Sequence, residues 1–154
     1  MYLNKCLYNL KMISTIAPGQ KICTRDEYIS QEPISNVAGM YRMRADGRDK
    51  MITRVHDIVH ACIEIADRII ESRYLVSKPN GAEMQFATMR MRRIGELREI
   101  WGRLGESKHG IEGQTQTYPG DARIGHAIQE LITYIDESRT RIRIALQSID
   151  EELW

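Results

Sequence analysis

Leu3, Leu7, Leu10 and Ile13 recur three and four residues apart, a spacing that predicts a short amphipathic helix stopped by the turn of "APGQ". Beyond it the period is lost. "KICT" and "YIS", on either side of "RDE", predict a small hairpin or an irregular segment near residues 19–33, closed by Pro33. A short helix is expected from Ser35 or Asn36, and "ADG" at 45–47 is expected to break or bend the chain before the next element. From about Arg48 to Leu75, the residues Ile52, Val55, Val59, Cys62, Ile63, Ala66, Ile69 and Ile70 form one stripe of period 3.6, with polar residues opposite.

"SKPNGA" at 77–82 predicts a turn, followed by a helix to about Ser107 with Met84, Ala87, Met91, Ile94, Leu97, Trp101 and Leu104 facing inward. Gly105, Gly110, Gly113 and Gly120 then punctuate an expected loop, and Pro119 suits the first turn of a last helix. Along that helix Ile124, Ile128, Leu131, Ile135, Ile142, Leu146, Ile149 and Leu153 keep one stripe over roughly 45 Å. The pattern therefore predicts an all-α fold, a helical bundle of long amphipathic helices forming a single domain over residues 1–154. Stripes this long exceed what a small monomeric bundle easily covers, so a homo-oligomer is expected.

A chain of 154 residues is long enough to bury a continuous core. Its net charge of +1 removes the global attraction of a dedicated non-specific nucleic-acid or anionic-membrane binder, so any basic site must be local. Cys6, Cys23 and Cys62 are odd in number and lack CxxC spacing, which speaks against a disulfide framework and a zinc knuckle and for a reducing compartment. "MYLNKCLYNLKM" has no signal-peptide core, and no run approaches a membrane span. The expectation is a soluble, cytoplasmic protein without a membrane partner.

Candidate chemistry is thin. His56, His60 and Glu64 lie four apart and could present a metal face, but without HExxH or a cysteine ligand they are expected to be a solvent-facing pair. "EIAD" at 64–67 and "ELRE" at 96–99 are similar to the carboxylate pairs of helical nucleotide pyrophosphohydrolases, but that family's ExxE helix precedes its ExxD helix and here the order is reversed. Both are expected to be acidic partners of Arg68, Arg98 and Arg103. Nucleophile elbows, phosphate loops and Ser/His/Asp groupings are absent, and Cys62 fits a packed small hydrophobe, so no enzyme activity, metal or cofactor is expected.

The cations change the picture locally. Of the 22, 16 are arginine, the side chain whose planar fork holds carboxylate and phosphate bidentately. "YRMRADGRDKMITR" gathers Arg42, Arg44, Arg48, Lys50 and Arg54, and Arg48 falls on the apolar stripe below Ile52 and Val55, where a guanidinium needs a partner. Arg98 similarly falls between Ile94 and Trp101, and Ser138 with Arg139 between Ile135 and Ile142. Pairing with Asp121, Glu130 or Asp136, or snorkelling of the long stems, accounts for these as well as an anion pocket does. For the pocket, "ADGRDK" would set free backbone N–H groups at a helix start, with Arg42, Arg44 and Arg48 on phosphates, Tyr118 on a base and Asp121 on a sugar.

The layout of "LKMISTIAPGQKI", "YRMRADGRDKMITRVHDIV" and "TYPGD" resembles small helical proteins of unknown role encoded by tailed bacteriophages and large DNA viruses. Those proteins carry an Arg-Trp pair, a glycine and a further arginine in the middle segment; Tyr41, Arg42, Gly47 and Arg48 match in part, without the tryptophan. In size and lack of catalytic motifs the chain is also similar to phage sponge proteins that sequester the nucleotide signals of bacterial immunity. The resemblance implies a non-catalytic, homo-oligomeric binder of a small phosphorylated, nucleotide-like ligand. A virion component or host-factor inhibitor working through its helices is the alternative, and a nucleic-acid binder the third.

Overall fold

A computed structural model of the chain describes residues 2–14, 37–76, 84–117 and 122–152. Among them every element is helical: α1 (Tyr2–Ser14), α2 (Val37–Ile70), α3 (Arg73–Val76), α4 (Met84–Thr117) and α5 (Ala122–Glu152). The all-α bundle expected from the periodicity is therefore the fold. The expected hairpin or irregular segment at 19–33 lies outside the described residues.

Two predicted breaks are absent. The chain does not break at "ADG"; α2 runs as one helix through Gly47 for 34 residues, about 50 Å. The glycine costs about 1 kcal/mol of helix propensity, but Met40, Arg42, Met43, Arg44, Ala45, Arg48, Lys50 and Met51 around it are strong helix formers. Nor is there a loop at Gly105–Gly113, because α4 continues to Thr117. Leu104 and Ile111 extend its buried face to 0% and 2% exposure, and burying one such side chain contributes about 1.5–3 kcal/mol, enough to offset a helical glycine.

Conversely, the expected helix to Leu75 stops at Ile70. Ser72 accepts the change of direction: its hydroxyl and its N–H both donate to the Ile69 carbonyl, at 2.6 and 3.1 Å, and its own carbonyl accepts from Leu75 and Val76 to start α3. A serine that satisfies an orphan carbonyl ends one helix and begins the next.

The core is one cluster drawn from all five helices. α5 packs on α4 and on α2, and α1 lies against α4 and α2. Lys108 opposite Asp136 and Trp101 opposite Arg139 show that α4 and α5 run antiparallel, while His60 with Tyr134 and Asp67 with Arg141 show α2 and α5 running parallel. The stripes of α2 and α5 are buried as expected, with Ile58 and Ile132 added to them; the side chains of Ile52, Ile124 and Leu153 are outside the described set.

On α4 the inward face is the expected one at Ile94, Leu97 and Leu104 and differs elsewhere. Met84, Met91 and Trp101 are 85%, 64% and 38% exposed, and Ala87 and Arg98 also face outward, whereas Phe86, Ile94, Leu97, Ile100 and Leu104 are buried. Apolar residues surround this helix widely enough that two stripes fit the same spacing, and the one containing the β-branched and aromatic Ile100 and Phe86 is the one that packs. Arg90 is buried with them.

Candidate functional site

The five residues expected to hold a ligand are not gathered by the described structure. Tyr118 and Asp121 lie outside the described residues, and of Arg42, Arg44 and Arg48 only the backbone positions are defined. Those positions correct one part of the expectation. Residues 45–50 are helix interior, so their N–H groups are committed to the helix and offer no anion nest at a helix start. At about 100° per residue, positions 44 and 48 are only about 40° apart and bracket the line through Val55, whereas position 42 is on the opposite side.

A second group assembles in the groove between α2 and α5. His56 and His60 stack with ring centroids 5.7 Å apart, and Tyr134 of α5 lies 6.1 Å from each. His60 Nδ1 is 2.7 Å from the Tyr134 hydroxyl and its Nε2 is 3.0 Å from Glu64. Because a carboxylate only accepts, neutral His60 must carry its proton on Nε2 and accept the Tyr134 O–H at Nδ1. The result is a relay from tyrosine through imidazole to carboxylate. Two turns further along, Arg141 reaches Asp67 at 3.4 Å and donates to Ser138 at 3.2 Å, whose hydroxyl in turn donates to the Tyr134 carbonyl at 2.8 Å. Burial and then the Asp67 and Glu64 carboxylates raise the Tyr134 phenol, with Arg141 opposing, so it stays protonated as a donor.

The relay is open to solvent. The His56 and His60 side chains are 53% and 46% exposed, so water competes for every contact. Both His60 nitrogens are already engaged, and among the described residues no group of three or more His, Cys, Asp or Glu is placed to hold a metal ion. The arrangement works as a polar clasp between two parallel helices.

Three of the four acidic residues of the "EIAD" and "ELRE" pairs, Glu64, Asp67 and Glu96, contact His60, Arg141 and Arg93. Glu96 takes both oxygens to Arg93 Nη1, at 2.8 and 2.9 Å, with Arg92 at 3.5 Å; Asp67 binds Arg141 and Glu64 binds His60. Arg103 pairs with Glu106. On the α4–α5 side, Arg139 lies 4.0 Å over the Trp101 ring and donates Nε–H to the Trp101 carbonyl at 3.1 Å. Of the two expected fillers of the α5 gap, Ser138 is buried and Arg139 snorkels to the adjacent helix. Tyr134 carried no sequence signal for its role, since its histidine partner is 74 residues away.

Comparison with protein-family models, with curated proteins and with solved structures finds no match to this chain. Among the described residues no helix is long and apolar enough to cross a membrane.

Proposed function

We propose that this chain is a non-catalytic, self-associating helical protein that binds and sequesters a small phosphorylated, nucleotide-like ligand. The observation that supports ligand binding is the continuity of α2. With no break at Gly47, positions 44 and 48 are successive turns of one helix in line with buried Val55, Val59 and Cys62, so two arginines extend an apolar seam. Paired arginines at successive turns of one helix fit the oxygens of a phosphate. Arg42, on the other side, is assigned to a different phosphate or to a neighbouring subunit. Tyr118 and Asp121 are proposed for base and sugar. The resemblance to phage proteins makes a nucleotide signal of bacterial immunity the ligand class of choice.

Self-association is supported by the outer face of α4, where Met84 and Met91 are 85% and 64% exposed in line with Gly95 and Gly102. The same face favours the second reading, an interaction protein whose helices bind a partner and whose arginines are ordinary ion pairs.

Calorimetric titration with a panel of phosphorylated nucleotides tests the proposal. Binding by the parent chain should fall at least tenfold in Arg44→Ala and in Arg48→Ala and persist in Arg143→Ala, an exposed control on α5. A parent that binds none of the panel, together with an Arg48→Ala chain that melts far below it, overturns ligand binding and leaves the interaction protein.

A further inference from the structure

We infer that Cys6 of α1 and Cys62 of α2 form a dithiol that closes reversibly to a disulfide, strapping α1 to the bundle. Both are buried thiols outside any disulfide, at 5% and 0% exposure, in the same core cluster. Cys6 is the side-chain neighbour that acts on the Cys62 thiol, and α1 and α2 pack directly. Two neighbouring thiols from helices 56 positions apart in sequence are more than a pair of small hydrophobes, because a disulfide needs neighbouring Cβ atoms on closely packed backbones.

The order of events follows from burial. Burial first, then the neighbouring Cys6, holds the Cys62 thiol far above the ordinary range, so Cys62 is a poor initial nucleophile. Cys6, at 5% exposure against 0% for Cys62, is the more accessible thiol. With a disulfide oxidant such as oxidised glutathione, Cys6 gives its proton to water and its thiolate attacks one glutathione sulfur. The first glutathione thiolate leaves and is protonated. Cys62, deprotonating in turn, attacks Cys6 Sγ and expels the second glutathione thiol. The two cysteines lose two hydrogens and two electrons, and the oxidant is reduced to two thiols.

The strap is tested on the full chain by incubation with oxidised glutathione, followed by peptide mapping under non-reducing conditions and by thermal melting. Mapping distinguishes a Cys6–Cys62 link from any link through Cys23, which lies outside the described residues. The expected result is a Cys6–Cys62 peptide, absent from Cys62→Ser, and a melting temperature raised by roughly 10 °C and restored by dithiothreitol, since closing a long loop restricts the unfolded chain. Glutathione retained on Cys6 with no internal link, thiols that stay free throughout, or a linked chain that melts lower than the reduced one would each overturn the inference.

Discussion

The two faces of α4 use the same residue for opposite purposes. Where α1 and α5 pack on it, a Cβ at Gly110 would overlap the Ile13 carbonyl oxygen, and one at Gly105 would come within 2.6 Å of the Arg139 guanidinium. These glycines admit a backbone and a side chain that a larger residue would exclude. On the outer side, Gly95, Gly102 and Gly113 would meet nothing within 4 Å. Each weakens the helix by about 1 kcal/mol relative to alanine, and the described fold gains nothing in return. A cost repeated along one face next to two exposed methionines has a reason when another surface approaches that face closely.

The comparison breaks most readily at Gly110→Ala. The obstacle is the backbone of α1, which cannot rotate away, so the substitution should destabilise by about 3 kcal/mol as α1 is displaced. Chemical denaturation measures this, and an unchanged midpoint would show that α1 does not rest on Gly110. Gly105→Ala should cost less, about 1 kcal/mol or under, because the Arg139 fork can swing aside and the helix gains propensity. Its signature is Trp101 fluorescence, which should change as the guanidinium leaves the ring, and Arg139→Ala should reproduce that change.

Outer-face substitutions should have the opposite sign. Gly95→Ala and Gly102→Ala should each stabilise the monomer by about 0.5–1 kcal/mol while weakening self-association, detected by sedimentation at several concentrations. Tighter association with the added methyl groups would remove the close-approach explanation.

The smallest effect belongs to the α2–α5 clasp. Tyr134 is held above the usual phenol value, so in alkali the unfolded chain loses that proton first. The associated stability is complete below pH about 10, the ordinary tyrosine value, and is lost as pH rises through the folded value. Tyr134→Phe should flatten that decline in melts from pH 8 to 11; an identical decline would assign it to other groups.

Much of the packing was legible because α2 and α5 are unambiguous: Val55 to Ile69 and Ile128 to Ile149 each leave only one face to bury. The misreadings cluster on α4, where glycine stands for turn chemistry in a single sequence and for close approach in three dimensions. Ile13 approaches Gly110 from almost 100 positions away, and nothing local announces it. Trp101 reads as a core residue by size, yet its ring edge is open because Arg139 covers the face. The candidate site was the least legible part. Positions 44 and 48 share one helix face, apart from 42, only because Gly47 is helical, and the His60–Tyr134 contact joins boundary positions on two helices that periodicity treats as solvated.

The parallel course of α2 and α5 also orders assembly in time. Antiparallel α4 and α5 meet across a short connection, so their pairing closes a small loop and should form early, whereas α2 must bring His60 to a tyrosine 74 residues on and α1 must return to α4 from farther still. Substitutions at Lys108, Asp136 or Trp101 should therefore slow refolding, while those at Leu10 or Ile13 of α1 should chiefly hasten unfolding. In hydrogen exchange, α1 should be the first helix to lose its protection and the α4–α5 hairpin the last.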